Sequence, residues 1–249
     1  MSHKYKHKGF VKPSVTTIIS DCNDKSGALT QWAANMACEW IRANCEQPWF
    51  DKTGNESAVE PNITASSDCY IVFPDELDLA AKNFRDVSKD ALEIGSEVHA
   101  SIEEWLKTGR EPINPREEVL SAFIAFLEFF DAHKMRTIKI EHKVYGDYWG
   151  GMLDWYGEYD GKLYVWDWKT SKHHYPNEHG PQIAAYRSRV NAKVEGCGVL
   201  RIDKTTGYPD PKDYSKRYLK DLEHFNLMVP LYLHRHPRIA KAAGFQPPF

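Results

Sequence analysis

Gly151-Met152-Leu153-Asp154, then Asp167-Trp168-Lys169-Thr170-Ser171-Lys172, then Gln182-Ile183-Ala184-Ala185-Tyr186 frame the part of this 249-residue chain that decides the fold. Between the first two elements stands Asp160-Gly161. A type I′ hairpin turn needs positive φ at both central positions, and this dipeptide tolerates that. Trp155, Tyr156 and Tyr159 precede it; Leu163, Tyr164, Val165 and Trp166 follow. These are the aromatic and β-branched types that suit strands. If the loop is Asp160-Gly161 alone, Tyr159 pairs with Lys162. Counting outward, Asp154 then falls directly opposite Asp167. Their Cβ atoms would lie about 4.5–5.5 Å apart on one face. Lys169, two residues beyond Asp167, points to that same face.

Two facing aspartates repel and destabilise a bare sheet. A divalent cation turns that repulsion into a coordination site, since hard ions such as Mg²⁺ take carboxylate, carbonyl and water oxygens. Lys169 would place positive charge beside the negative charge developing in phosphoryl transfer, or help deprotonate an attacking water. The plainer reading is an exposed hairpin with charges on its wet face. Opposed acids, unlike opposed unlike charges, ask for a reason.

These residues resemble the PD-(D/E)xK nuclease superfamily, and within it the RecB-like exonuclease branch often carried by phages. The likeness rests on Gly-x-x-Asp (Gly151 to Asp154), Asp-x-Lys (Asp167 to Lys169) with its Thr-Ser-Lys extension, and Gln-x-x-x-Tyr (Gln182, Tyr186). Upstream, Gly95-Ser96-Glu97-Val98-His99 is similar to that branch's Gly-x-x-(apolar)-His element. Each element is weak alone; the four in order are more specific. Pro13-Ser14-Val15-Thr16-Thr17-Ile18-Ile19 and the Ala/Trp-rich segment after it add a looser likeness. The resemblance implies that Asp154 and Asp167 ligate Mg²⁺ or Mn²⁺, with His99 and the Trp168 carbonyl as further ligands. Lys169 would be the catalytic lysine. Gln182 and Tyr186, with Thr170, Ser171 and Lys172, would support the site or touch nucleic acid. Asp167 stands where many relatives carry Glu, one methylene longer.

The implied activity is metal-dependent DNA exonuclease cleavage in phage recombination, repair or degradation. The substrate would be single- or double-stranded DNA, with a recombination protein as a further partner and the cytoplasm (the host's, for a phage-encoded chain) as the location. An endonuclease of the same fold, of resolvase or restriction type, is the nearest alternative. A catalytically silent DNA-binding or assembly protein is an alternative of another class. Some relatives hold an iron–sulfur cluster on four cysteines, three of them close together near the C-terminus. Here Cys197 alone follows the hairpin, so no iron–sulfur cluster is expected.

Composition sets wider bounds. Apolar residues make up 42% and charged residues 27%, ordinary for a globular chain that buries a core. No apolar run approaches a membrane span, and residues 1–12 are basic and polar without an apolar signal core. That arm is read as frayed or as touching a nucleic-acid backbone. The net charge of −3 advertises no global basic field, which counts mildly against DNA. Locally, Lys169, Lys172, Arg187, Arg189, Lys193, Arg201 and Lys204 outnumber the acids, giving either a basic lip or a solvated helix face. Cys22, Cys38, Cys45, Cys69 and Cys197 are scattered and odd in number, which suggests free thiols in a reducing compartment.

Working outward from the hairpin, residues 136–145 alternate and read as the strand feeding it. Glu141 there is either a supporting acid near the metal or a polar residue on a half-buried strand. A helix is expected over 28–45, capped by Asp24 or Ser26, with Trp32, Met36 and Trp40 as its stripe. Residues 47–67 read as loop, with Trp49-Phe50 as an aromatic patch. Residues 74–107 look helical, as one helix or as two with Ser88 capping the second. Ala91, Ile94, Val98, Ile102 and Trp105 mark the apolar stripe. A lone histidine beside such a stripe is usually structural, so His99 is a ligand candidate through its Gly95 spacing. Gly95 inside a helix costs about 1 kcal/mol relative to Ala, which close approach of a neighbour would explain. Asn114-Pro115 should open the next helix, with Val119, Phe123, Phe126, Leu127 and Phe130 as its buried face. Residues 197–203 read as a strand, 203–207 as a turn and 214–236 as a closing helix. His173, His174 and His179 lack ligand spacing and read as a solvated loop.

The expected architecture is α/β (α+β): a mixed central sheet flanked by helices, a restriction-endonuclease-like nuclease core. It is expected as a single domain over 1–249, with a largely helical elaboration at 1–90, the core at 91–236 and a tail at 237–249.

Overall fold

A computed structural model describes residues 5–23, 26–45, 74–190, 193–203 and 206–246. The expected loop at 47–67 with Trp49-Phe50, and also Asp24, Cys69 and Lys204, lie outside the described residues. The chain divides into two compact units, one of Met1–Asp24 with Glu93–Phe249, the other Lys25–Leu92.

The larger unit is a mixed α/β fold built on a five-stranded sheet flanked by helices. Its strands are β3 (Arg136–Tyr145), β4 (Gly150–Tyr159), β5 (Lys162–Lys169), β6 (Gly196–Ile202) and β7 (Pro209–Asp213), in that spatial order. Neighbours are antiparallel except β5 and β6, which are parallel. A parallel pair needs a crossover, supplied here by helix α5 (Pro176–Arg187). The Asp160-Gly161 turn has φ of 47° and 77°, both in the left-handed region that the type I′ reading demands. The expected register follows, from Tyr159 opposite Lys162 out to Trp155 opposite Trp166.

Each sheet face carries its own apolar layer. On one, Ile183, Ala185 and Tyr186 of α5 meet Val15, Ile18 and Ile19 of α1 (Val15–Cys22) and Phe225, Met228 and Leu233 of α6 (Tyr218–Arg235). On the other, Trp155, Trp166 and Trp168 pack against Val119, Phe123, Phe126 and Phe129 of α4 (Glu117–Ala132) and Ile94, Val98 and Ile102 of α3 (Pro74–Thr108). Of the stripes read from the 3.6-residue periodicity, Ile94, Val98, Ile102, Val119, Phe123 and Phe126 are buried, Ala91, Trp105, Leu127 and Phe130 are half-buried, and Phe129 joins the layer without having been read.

Several elements differ from expectation. Residues 5–12 form a hairpin, β1 (Tyr5–His7) with β2 (Phe10–Lys12), instead of a frayed arm. The first residues belong with the sheet, because Gly150 N–H donates to the Pro13 carbonyl at 3.0 Å and Ser14 bridges Gly150. Ser14 also caps α1, its Oγ accepting from Thr17 N–H at 2.9 Å. The smaller unit spans 25–92. Helix α3 runs unbroken through Ser88, so nothing is capped there. Helix α4 begins at Glu117, after Asn114 has turned the chain at φ 49°. Residues 237–242 form helix α7 (Pro237–Ala242), with Ala240 and Ala243 in the core, where a tail was expected. Strand β7 was missed because Pro209 and Pro211 argue against a strand; an edge position makes both tolerable.

In the smaller unit, α2 (Ser26–Asn44) half-buries Met36 and Trp40. Trp32 is 37% exposed and meets the Phe84 ring edge-on. Asn83 Nδ2 donates to the Met36 carbonyl at 3.0 Å. Among the described residues, no helix is long and apolar enough to cross a membrane.

Candidate active site

The β4–β5 ladder ends at Trp155 and Trp166, while β5 stays paired with β6 as far as Lys169 opposite Arg201. The two strands therefore part where the two aspartates stand. The main-chain N–H of Trp168 donates to Asp154 Oδ2 at 2.7 Å, so Asp154 grips β5 through its side chain one step past the ladder. Asp167 is 2% exposed. Its Oδ1 accepts from Gln182 Nε2 at 3.3 Å, and Gln182 also donates to the Tyr186 hydroxyl at 3.3 Å. Residues 182 and 186 share a face of α5 because they lie one turn apart. Lys169 Nζ stands 2.5 Å from Asp167 Oδ2, an ion pair rather than an aligned hydrogen bond.

On the other side of Asp154, His99 Nδ1 lies 3.7 Å from Asp154 Oδ2. Helix α3 brings it there by packing tightly on the strand end: a Cβ on Gly95 would sit 2.8 Å from Thr170 Oγ1. That close approach is the reason the sequence suggested for a glycine at this place. A small cavity opens beside the acids, lined by His99, Ile102, Glu103, Leu106, Ile140, Glu141, Asp154 and Trp168. Glu141 enters it from a kink in β3, at φ 45°, between the pairs Ile140–Trp155 and His142–Leu153. Glu103, one turn after His99, escaped the sequence reading; the i, i+4 spacing from a suspected ligand was the available signal. It pairs with Lys107.

The electrostatics are those of crowded acids. Asp154 is pushed up to about 6, first by burial and then by Asp167; His99, Lys169 and the Trp168 amide pull the other way. Glu141 is pushed up to about 7 by burial, then by Asp154 and Glu103. Burial works to lower the Lys169 ammonium, but Asp167 and Asp154 more than offset it, and Lys169 holds its proton more firmly than usual. Burial, then Asp167, hold the Tyr186 phenol well above its ordinary range, so it stays neutral.

Asp154, Asp167, Glu141 and His99 are hard oxygen and nitrogen donors with too little positive charge among them, which fits a divalent cation. Among the described residues, no three His, Cys, Asp or Glu side chains converge as a ready ligand group. Mg²⁺ asks for less, since it keeps several waters and is held by one or two carboxylates.

Ser171 Oγ donates to the His173 carbonyl, and the Lys172 carbonyl accepts from Arg201. Arg201 is paired with Asp203 and Asp210, and Arg187 donates to the carbonyls of Val194 and Glu195. These two arginines are therefore used in holding loops, which thins the expected basic lip. His179 is buried on α5, and His174 is hydrogen-bonded to the Asp210 carbonyl at 3.0 Å; neither is the solvated loop residue expected.

No family model matches the chain, and no curated protein matches it.

Proposed function

We propose that the chain is a Mg²⁺- or Mn²⁺-dependent deoxyribonuclease of exonuclease type. The observation that carries this reading is the parting of β4 and β5 at Asp154 and Asp167, with the Lys169 cation against the second acid. Asp154, Asp167, His99 and the Trp168 carbonyl would hold the ion. When bound, the ion supplies Lewis acidity toward a phosphodiester oxygen and lowers the pKa of a coordinated water.

The chain's own groups do the rest. Gln182 fixes the Asp167 carboxylate, and the Trp168 amide fixes that of Asp154, so the acids meet the substrate already oriented. Lys169 holds its proton and so acts as a fixed cation facing the charge that grows on phosphorus-bound oxygens. Glu141 stands in the cavity beside Asp154, where it can exchange a proton with a water. Ile102, Leu106 and Ile140 wall that cavity and limit its hydration.

The test is purified protein with linear and covalently closed circular DNA, single- and double-stranded, in Mg²⁺, Mn²⁺ and EDTA, beside Asp167→Ala. Metal-dependent loss of linear DNA alone, abolished in the variant, is the expected result. Cutting of closed circles would move the reading to an endonuclease. Binding without hydrolysis in any metal would overturn the enzyme and leave a DNA-binding protein.

A further inference from the structure

The β1–β2 hairpin carries rings and cations and has no acid over residues 5–12. It is fastened to the sheet at several points. Lys12 Nζ donates to the Gly146 carbonyl at 2.8 Å, and a Cβ on Gly150 would meet Tyr5 at 2.5 Å. The His7 ring stacks on Tyr145, centroids 4.3 Å apart at 14°, and Tyr5 meets Tyr145 edge-on at 6.3 Å. All three rings remain partly exposed, while Lys6 and Lys8 on the hairpin and Lys143 on β3 are exposed. Asp147 lies near the buried Lys12 and acts on its charge.

The position of this cluster matters as much as its chemistry. Gly151, next to the Gly150 that Tyr5 covers, packs so closely on Tyr186 that a Cβ would meet that ring at 2.4 Å. Tyr186 in turn accepts from the Gln182 that holds Asp167. Tyr5 and Tyr145 thus stand at the Gly150 end of the strand that carries Asp154, and His7 continues them toward the surface. The Tyr5 hydroxyl is held above its ordinary range by burial, then by Tyr145 and Glu141, which places it in the field of the acid cluster.

We infer that the β1–β2 hairpin, with Tyr145 and Lys143, is a landing surface for a single DNA strand passing to or from the acids. Unpaired bases have π-faces that stack on such rings, and phosphates pair with such lysines. The inference rests on the nuclease reading for the nature of its partner. A duplex offers no free base faces, so the rings favour one strand.

The experiment is fluorescence anisotropy of labelled oligo(dT) with the full chain in EDTA, where nothing is cut, across a range of salt. Lys6→Gln with Lys8→Gln should weaken binding roughly tenfold and reduce the slope of log affinity against log salt by about 1.4, the value for two lost contacts to a single strand. His7→Ala should weaken binding roughly five- to tenfold with the slope unchanged. Both lysines are exposed, so those substitutions test the surface without testing the fold. Unchanged affinity and slope would overturn the inference, as would a blunt duplex that competes as well as the single strand. Cleavage with unaltered oligo(dT) binding in the variants would sink the surface alone. Hairpin-dependent binding without cleavage by the native chain would sink the nuclease reading and keep the surface.

Discussion

Lys169 Nζ lies 2.5 Å from Asp167 Oδ2, two residues away along β5 and on the same face of the strand. The acid is 2% exposed and the lysine side chain 24%, so each is the main answer to the other's desolvation. Removing one partner of such a pair leaves an uncompensated buried charge, which costs about 3–5 kcal/mol when burial is complete. Here the partly wet lysine brings the cost down to about 2 kcal/mol.

Asp167→Ala should therefore abolish cleavage and also lower stability by about that amount, while Asp167→Ala with Lys169→Met should regain much of the stability and none of the activity. Urea unfolding of the two single variants and the double variant reads the coupling, and DNA hydrolysis reads the site. Additive stability losses would mean that the pair is not coupled.

Crowded acids give the metal-free protein a pH dependence of definite sign. Asp154 and Glu141 carry folded pKa values raised to about 6 and about 7, so the folded state holds protons that the unfolded state releases. The associated stability is fully present below about pH 4 and is lost as pH rises through about 6 to 7. In EDTA, the melting temperature should fall by a few degrees between pH 5 and pH 8 from this source. Mg²⁺ or Mn²⁺ should reverse the fall, because a ligand that binds only the folded state stabilises it. Asp154→Asn should flatten the profile and remove the metal response. A metal-free protein equally stable at both pH values would contradict this electrostatic picture.

Gly95 and Thr170 form a second testable pair. A methyl group on Gly95 meets Thr170 Oγ1 at 2.8 Å, so helix and strand end must separate or the threonine must turn. Ala gains about 1 kcal/mol of helix propensity over Gly, which offsets part of the clash. Gly95→Val adds bulk without that gain and should cost about 1–3 kcal/mol. Because His99 rides on the same helix, its substitution should also lower cleavage roughly tenfold or more through misplacement. Gly95→Ala combined with Thr170→Ala should return stability to near that of the native chain. Thermal melts and DNA hydrolysis of the three variants distinguish packing from any other role of Gly95.

What could be read from the chain follows from how local each signal was. The Asp160-Gly161 turn and the alternation around it set the register from neighbouring residues alone, and residues 136–145 matched β3 end to end. The stripes of α3 and α4 were equally local. The parting of β4 and β5 beyond Trp155 and Trp166 was not legible, because it depends on β6 keeping β5. Glu141 could be suspected but its kink could not, since nothing in Ile140-Glu141-His142 demands positive φ. Arg201 looked like a free cation for a phosphate until Asp203 and Asp210 were found on it; Asp210 lies on a strand hidden by its prolines. The rings of Tyr5 and His7 meet Tyr145 from far away in the chain, which no local window could span.

The kink at Glu141 has an effect beyond the cavity. Among the described residues β3 is an outer strand, paired with β4, and an outer strand that lies flat invites another chain to add to it. The register shift between Thr137 and Lys139, the left-handed turn at Glu141 and the lysines at 139 and 143 all spoil that invitation. At the opposite margin, Pro209 and Pro211 in β7 lack the N–H groups that a newcomer would need. The backbone distortion that turns an acid into the cavity thus also guards the edge of the sheet, and straightening it would remove the acid from the cavity and open that edge to aggregation.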